Sequence, residues 1–150
     1  MIFSITFAVA LLLAHVAHAL PHAEAAQHNT RAFTTEATFD TTFDNPSGSL
    51  NGVACSNGPN GLAAQFPTFA DIPSFPFIGG GPGIVWDSPN CGGCWQLTSA
   101  DGASIFMTLV DSGATFNIAK EAFVELNGGS VGEGVINVFA EEVPPYLCGL

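Results

Sequence analysis

Histidine is missing from most of this sequence, and its absence excludes several kinds of catalysis. All four histidines (His15, His18, His22 and His28) fall within the first 28 residues. The rest of the chain therefore cannot form a Ser-His-Asp triad or a Cys-His nucleophile pair. It also lacks the histidine ligands that are typical of a catalytic zinc site. Any acid–base chemistry in this part of the chain must rely on carboxylates.

Basic residues are nearly as scarce, which limits the partners of the protein. From residue 37 onward, eleven Asp and Glu stand against a single basic residue, Lys120, and give a net charge near −10. Such an acidic surface repels phosphate backbones and anionic lipids. The composition therefore disfavours nucleic acids and membranes as partners, and it favours uncharged polymers such as polysaccharides.

The N-terminus has the pattern of a signal peptide. An apolar run of about a dozen residues ends in Ala17-His18-Ala19, and such a run before small residues is typical of a cleaved secretion signal. The run is shorter than the roughly 20 residues that a membrane span requires. We expect residues 1–19 to be a signal peptide, residues 20–36 a flexible leader, and residues 37–150 one secreted domain, either extracellular or associated with the cell wall.

Four cysteines, Cys55, Cys91, Cys94 and Cys148, lie in the predicted domain. An even number of cysteines in a small secreted domain indicates two disulfides, for which three pairings are possible. Cys91 and Cys94 form a Cys-x-x-Cys motif, which is also found in redox pairs and zinc sites. A redox pair normally begins a helix, whereas Trp95 begins a predicted strand. An oxidising compartment disfavours free thiols as zinc ligands, so two separate disulfides are the favoured interpretation.

The pattern of the domain predicts mainly β-structure with one helix. Two β-rich runs flank Ala100-Asp101-Gly102, and Asp-Gly is typical of a tight hairpin turn. Other predicted strands cover residues 84–86 and 134–143, with a weaker candidate at 38–45. A helix is predicted over 117–126, where Asn117 would be the N-cap and Gly128 follows the end. Short strands and one helix on a disulfide framework suggest a small β-barrel.

Asp111 is the strongest candidate for a functional carboxylate. It follows the alternating apolar residues Ile105, Met107 and Leu109 of the second hairpin strand, and it precedes a glycine-containing loop. Paired carboxylates can hydrolyse a glycosidic bond, and the candidate partners of Asp111 are Asp40 and Asp44. The alternative is structural: Asp111 would accept hydrogen bonds from the following turn, and the other two would be solvated turn residues.

Aromatic side chains provide a second signal for carbohydrate binding, because the C–H faces of a pyranose stack on aromatic rings. The candidates are Trp86, Trp95 and Tyr146, together with Phe39, Phe43 and Phe116 near the candidate acids. Most phenylalanines in so small a domain belong to its core, so a structural role is the competing interpretation for each of these rings.

Several segments together resemble the cerato-platanins, a family of small secreted fungal proteins. In chain order they are TFDTTFDN, ACSNGPNGL, IPSFPFIGG, WDSPNCGGCWQL, LVDSG and FNIAKEAFVELNGG, followed by the terminal Cys148. They cover essentially the whole predicted domain. The resemblance implies a six-stranded double-psi β-barrel with short helices, and it implies the disulfides Cys55–Cys91 and Cys94–Cys148.

The resemblance also implies a function and a set of site residues. Members of the family bind chitin (N-acetylglucosamine) oligosaccharides in a shallow groove, elicit plant defence, which suggests a plant receptor, and in some cases loosen cellulose as expansins do, without hydrolysis. The residues that match the groove are Asp111, Asn117, Phe39, Asp40, Phe43 and Asp44. Phe39 and Phe43 replace the tyrosines usual in the family, so two hydroxyls that could each contribute about 0.5–1.5 kcal/mol are lost.

The main expectation is thus a non-catalytic, monomeric carbohydrate-binding protein that needs no metal or other cofactor. Two alternatives stay open at this point. One is a weak endo-acting glycoside hydrolase that uses Asp111 as its acid. The other is a self-assembling surface-active protein, which the apolar composition with only 10% charged residues allows.

Overall fold

The computed structural model describes residues 31–150, which form a closed barrel of six strands with one α-helix. The strands are β1 (Ala32–Phe39), β2 (Ile78–Gly81), β3 (Cys94–Ser99), β4 (Ser104–Ser112), β5 (Phe116–Ile118) and β6 (Val135–Val143), and the helix α1 spans Lys120–Leu126. The barrel closes in the order β1-β5-β2-β4-β3-β6. The predicted fold class is confirmed. The predicted signal peptide and residues 20–30 of the predicted leader lie outside the described residues.

The parallel pairs of the barrel bring distant segments of the chain side by side. β1 pairs in parallel with β5, and β2 pairs in parallel with β4. The remaining neighbours are antiparallel. β2 lies between β4 and β5 in the barrel. Gly80 of β2 is therefore next to Asp111 of β4 on one side and next to Asn117 of β5 on the other, and these are two of the candidate site residues.

The first strand begins earlier than its sequence suggests. Residues 32–36, which the sequence assigns to the leader, pair with β6 and continue to the register pair Thr38↔Val135. Only Ala37 of β1 is buried, so the strand carries little of the apolar alternation from which strands are predicted. The strand predicted over 38–45 is wrong after Phe39, because Thr41–Asp44 forms a 3₁₀ helix that Asp40 caps.

The predicted hairpin is confirmed, but two other elements differ from their predictions. β3 and β4 pair around the turn at Asp101-Gly102, from Cys94↔Thr108 to Thr98↔Ser104. The helix begins at Lys120 rather than near Asn117, which lies in β5. The strand predicted at 84–86 is wrong, because the chain forms turns there and the strand is β2, which lies earlier at Ile78–Gly81.

The glycines of β2 explain why this strand is hard to predict and why it is nevertheless needed. A Cβ atom on Gly79 would collide with the backbone of Asn117, and one on Gly80 would lie 2.6 Å from the carbonyl oxygen of Ser112. Glycine usually weakens a strand, but it marks sites where another backbone approaches closely. The three glycines therefore let β4 and β5 pack against both sides of β2.

The two disulfides pair as the resemblance implies. Cys55 is bonded to Cys91, and Cys94 is bonded to Cys148. The Cys-x-x-Cys motif is therefore neither a redox pair nor half of a metal site. It is a junction from which one crosslink reaches back 36 residues and the other reaches forward 54 residues.

Candidate functional site

One residue from each of four neighbouring strands lies at the same level of the barrel. Thr38 of β1 is in register with Asn117 of β5, which is in register with Gly80 of β2, which in turn is in register with Asp111 of β4. Adjacent strands are about 4.8 Å apart, so the backbones of Asn117 and Asp111 are separated by roughly 10 Å. Gly80 adds no side chain between these two polar residues.

Asn117 connects this row to Asp40. The hydroxyl of Thr38 donates to Asn117 Oδ1 at 3.0 Å, and the side-chain amide of Asn117 contributes slightly to lowering the pKa of the Asp40 carboxyl group. The backbone N–H of Asp40 donates to the carbonyl of Ile118 at 2.9 Å. Thr38, Asn117 and Asp40 thus lie close together as one partly exposed polar cluster.

Hydrogen bonds hold Asp40 in its ionised form. The backbone N–H of Thr42 donates to Asp40 Oδ1 at 2.8 Å. This bond is the largest cause of a lowered pKa at Asp40, and the Thr42 hydroxyl lowers the pKa further. Burial opposes both with a smaller effect, and the Asn117 amide lowers the pKa least. A carboxyl group with a lowered pKa is a poor proton donor and a good hydrogen-bond acceptor.

The lowered pKa gives Asp40 a pH-dependent contribution to stability. Because folding lowers this pKa below 3.8, the contribution is present above that value and is lost as the pH falls through the folded value. We expect Asp40→Asn to lower the melting temperature near neutral pH, and the difference from the unaltered protein to shrink in acid. Thermal unfolding of both proteins from neutral pH to below pH 3.8 measures this difference in melting temperature. Asp101→Asn, at the exposed hairpin turn, is the control, and a pH-independent difference at Asp40 would contradict the prediction.

Asp111 has one oxygen engaged and one oxygen open. Its Oδ1 accepts the backbone N–H of Ala54 at 2.9 Å and that of Ser112 at 2.8 Å. Asp111 therefore accepts a hydrogen bond from the residue that follows it, as the structural alternative predicted, and it accepts a second one from the distant loop at Ala54. Among the described residues Oδ2 accepts no hydrogen bond, and the residue is half-exposed. Asp111 can fix the loop at Ala54 and still accept a hydrogen bond from a ligand.

A bulge in front of Asp111 changes its relation to the apolar residues of β4. Gly79 pairs with Leu109 while Gly80 pairs with Asp111, so Val110 has no counterpart on β2. Such an extra residue bends the strand and re-aims the side chains that follow it. The expectation that Asp111 simply ends the row Ile105, Met107, Leu109 is therefore wrong.

The phenylalanines and Asp44 of the predicted groove have other roles. Phe43 is only 4% exposed and packs against Phe69 with ring centroids 5.9 Å apart, so it is a core residue and offers no face to a sugar. Phe39 is half-buried against Phe123 at 5.2 Å. Asp44 Oδ1 accepts the backbone N–H of Lys120 at 2.7 Å and so supplies the helix cap that Ala119 lacks.

The structure thus brings together three of the six predicted site residues, namely Asp40, Asn117 and Asp111, and leaves Phe39 beside them. Sequence reasoning missed Thr38 and Gly80. Both belong to the row only through the register of β1 and β2 with β5, and nothing in the sequence specifies a parallel register between segments so far apart. Of the two positions where Phe replaces Tyr, position 43 is buried and only position 39 leaves part of its ring exposed.

Two other features lie outside this cluster. A cavity of about 480 Å³ lies at another part of the surface, between the loop at Phe75, the start of β4 and the C-terminal residues Leu147 to Gly149, and none of the predicted site residues lines it. Within residues 31–150 no His, Cys, Asp and Glu side chains gather in a group of three that could bind a metal ion. In the same range, no helix has the length and apolar character of a membrane span.

The sequence of this chain is similar to those of known proteins. The family model described as cerato-platanin matches residues 35–150. The chain is 50% identical over 102 residues to cerato-platanin of Ceratocystis fimbriata f. sp. platani, a match that covers 67% of this chain and 76% of that protein.

Solved structures of such proteins are similar as well. The crystal structure of cerato-platanin 2 from M. perniciosa has a TM-score of 0.75 and 41% identity, covering 79% of this chain and all of that one. The solution structure of the fungal elicitor cerato-platanin has a TM-score of 0.71 and 43% identity, covering 76% of this chain and 96% of that one.

Proposed function

Because the chain belongs to the cerato-platanin family, we propose that it is a secreted, non-catalytic protein that binds cell-wall polysaccharides. The ligand we propose is an uncharged polymer of the chitin type, a chain of N-acetylglucosamine units. The observation that carries the proposal is the strand register that brings Asn117 and Asp111 into one row across Gly80, with Asp40, whose N–H donates to the carbonyl of Ile118, beside Asn117. These side chains offer hydrogen-bond acceptors of the kind that sugar hydroxyls and amides need.

The charge of the domain supports an uncharged ligand. Asp40 and Asp111 are acidic and the predicted domain carries a net charge near −10, so anionic polymers would be repelled. A neutral polysaccharide meets no such barrier, and its hydroxyls can donate to the carboxylates.

The same residues favour binding over hydrolysis. A glycosidase needs one carboxylic acid to donate to the leaving oxygen and a second carboxylate to attack or to activate water. Both candidate partners of Asp111 already have structural roles, because Asp40 accepts the backbone N–H of Thr42 and Asp44 accepts that of Lys120 as the cap of α1. The domain has no histidine to take over this role. We therefore propose expansin-like loosening of the wall without bond cleavage, rather than a weak endo-acting hydrolase.

The proposed setting is the cell wall or the space outside the cell. Both disulfides fit an oxidising, extracellular compartment. A solved relative that is 43% identical is described as a fungal elicitor, and we extend that role to this chain as part of the proposal: a plant that recognises it would respond with defence.

A titration with a chitin tetramer tests the proposal. We expect backbone amide shifts in NMR spectra at Asp40, Gly80, Asp111 and Asn117, with no release of reducing ends from chitin or swollen cellulose. A cellulose-derived tetramer is the matched ligand for specificity. If these amides do not shift at millimolar tetramer, the proposed binding site at Asp40, Asn117 and Asp111 is wrong. If reducing ends are released steadily and Asp111→Asn abolishes the release, the hydrolase is favoured.

A further inference from the structure

A tryptophan on the surface stands apart from the cluster described above. Trp86 is 64% exposed and its neighbour Val85 is 65% exposed. The other tryptophan, Trp95, is 1% exposed and packs against Phe116 in the core. Trp86 therefore contributes little to the core, and the loop that carries it presents two large apolar side chains to solvent.

The loop that carries Trp86 is braced against a second loop. The indole Nε1 donates to Asn57 Oδ1 at 2.8 Å. Asn60 donates its backbone N–H to Asp87 Oδ1 at 2.8 Å and its side-chain amide to the Asp87 carbonyl at 2.9 Å. Three hydrogen bonds thus connect the segments 57–60 and 86–87. An exposed side chain held in this way loses little conformational freedom when a ligand binds it.

The bracing has a conformational cost at the residue that follows Trp86. Asp87 has φ of 57°, and within the described residues it is the one non-glycine residue with positive φ. Gly58 makes the arrangement possible, because a Cβ there would lie 2.5 Å from Asp87 Oδ1. Strained backbone of this kind persists where the surroundings enforce it, and such residues are concentrated at ligand-binding sites.

The chemistry of the exposed indole indicates what it can bind. Its only hydrogen-bond donor is used by Asn57, so it offers a ligand its flat apolar face. The side-chain amides of Asn57 and Asn60 and the carboxylate of Asp87 belong to the same two hydrogen-bonded loop segments as this indole. A flat apolar surface with a few fixed polar groups at its edge suits a pyranose ring, which has C–H groups on its faces and hydroxyls around its rim.

The position of Trp86 places it at the same end of the barrel as Asp111. β2 and β4 run in parallel, Asp111 lies near the C-terminal end of β4, and Trp86 follows the C-terminal end of β2 by five residues. Ala54 binds Asp111 and Asn57 binds Trp86. Asn57 lies three positions after Ala54 in the chain, so their Cα atoms are at most roughly 11 Å apart.

We infer that Trp86 is an outer subsite that stacks one pyranose ring of the same uncharged polysaccharide whose neighbouring units contact Asp111 and Asn117. This inference rests on the proposed function, because it assigns Trp86 to that ligand. An oligosaccharide long enough to reach both positions gains the stacking contact, and a short one bound at Asp111 does not.

Calorimetric titration of the mature protein with the trimer and the hexamer of N-acetylglucosamine tests the subsite. We expect Trp86→Ala to raise the dissociation constant for the hexamer about tenfold, and that for the trimer by less than about twofold. Trp86→Phe should restore most of the hexamer affinity, because it keeps an aromatic face. Tyr146→Ala removes an aromatic ring that is 72% exposed near the C-terminus, and as the control it should change neither constant.

Fluorescence gives a second measurement that does not depend on affinity. Binding of the hexamer should move the emission of exposed Trp86 to shorter wavelength, while Trp86→Phe, which retains buried Trp95, should show no movement. If Trp86→Ala binds the hexamer as tightly as the unaltered protein while Asp111→Asn binds it more weakly, the subsite is overturned and the proposed function stands. Hexamer binding that depends on Trp86 without amide shifts at Asp111 and Asn117 supports stacking at Trp86 but overturns the shared groove. Absence of any binding overturns both proposals.

Discussion

Replacing Cys94 and Cys148 together with alanine is expected to lower the free energy of unfolding by about 4 kcal/mol. The crosslink closes a loop of 54 residues, and its loss gives the unfolded chain the conformational freedom of that loop. It also frees the C-terminal 3₁₀ helix, Pro145–Cys148, from the start of β3. A domain of this size is stabilised by only about 5–15 kcal/mol, so the loss is a large share of the total.

Chemical denaturation followed by the emission of buried Trp95 measures this effect. The double replacement of Cys55 and Cys91 is the matched comparison, because its loop of 36 residues predicts a loss that is smaller by less than about 0.5 kcal/mol. Equal slopes of free energy against denaturant in the variants would show that the unfolded states are comparable. A loss below about 1 kcal/mol for either pair would contradict the assignment of these crosslinks as the main covalent support of the barrel.

The fold was predictable from sequence where local signals and tertiary structure agree. The hairpin of β3 and β4 has strand-forming residues on both sides of an Asp-Gly turn, and the structure has it at that place. The end of α1 at Leu126 precedes Gly128 and Gly129, both with positive φ, as a glycine stop predicts. In these elements the residues that determine the structure are neighbours in the chain.

Prediction failed where distant contacts determine the structure. β1 has a single buried residue and is stabilised by pairing with β6 and β5. β2 consists largely of glycine and exists because two other backbones approach it. Asn117 is a good helix N-cap by type, yet its register with Thr38 and Gly80 places it in β5. None of these contacts leaves a periodic pattern in the sequence.

The candidate site was predictable in part for the same reason. Asp111 stood out because it is polar at the end of an apolar strand, and the structure gives it one open oxygen. Phe43 was expected to face a ligand because the repeated Phe-Asp pairs at Phe39 and Phe43 match the groove of the family, but the 3₁₀ helix that begins at Thr41 places the ring of Phe43 in the core. A repeat of residue types therefore does not imply a repeat of orientation when the backbone conformation changes between them.

Asp111→Asn and Asp111→Ala are expected to separate the two roles of this side chain. Asn keeps an oxygen that can accept the N–H groups of Ala54 and Ser112, but it replaces Oδ2 by a donor and removes the charge. A hydrogen bond to a charged group contributes about 1.5–3 kcal/mol, so we expect chitin hexamer affinity to fall about 10- to 100-fold with little change in melting temperature. Alanine should lose the affinity and also about 1–3 kcal/mol of stability, because the Ala54 amide loses its acceptor.

Calorimetry with the hexamer and thermal unfolding of both variants make the comparison. Asp101→Asn, at the exposed hairpin turn, controls for the loss of one negative charge. If Asp111→Asn bound the hexamer as tightly as the unaltered protein while Asp111→Ala lost stability, Asp111 would serve only to hold the loop at Ala54. The acceptor for the sugar would then have to be found in the cluster of Asp40 and Asn117. If instead both variants lose affinity and only the alanine variant loses stability, one carboxylate performs both tasks, since Oδ1 fixes the loop and Oδ2 faces the ligand.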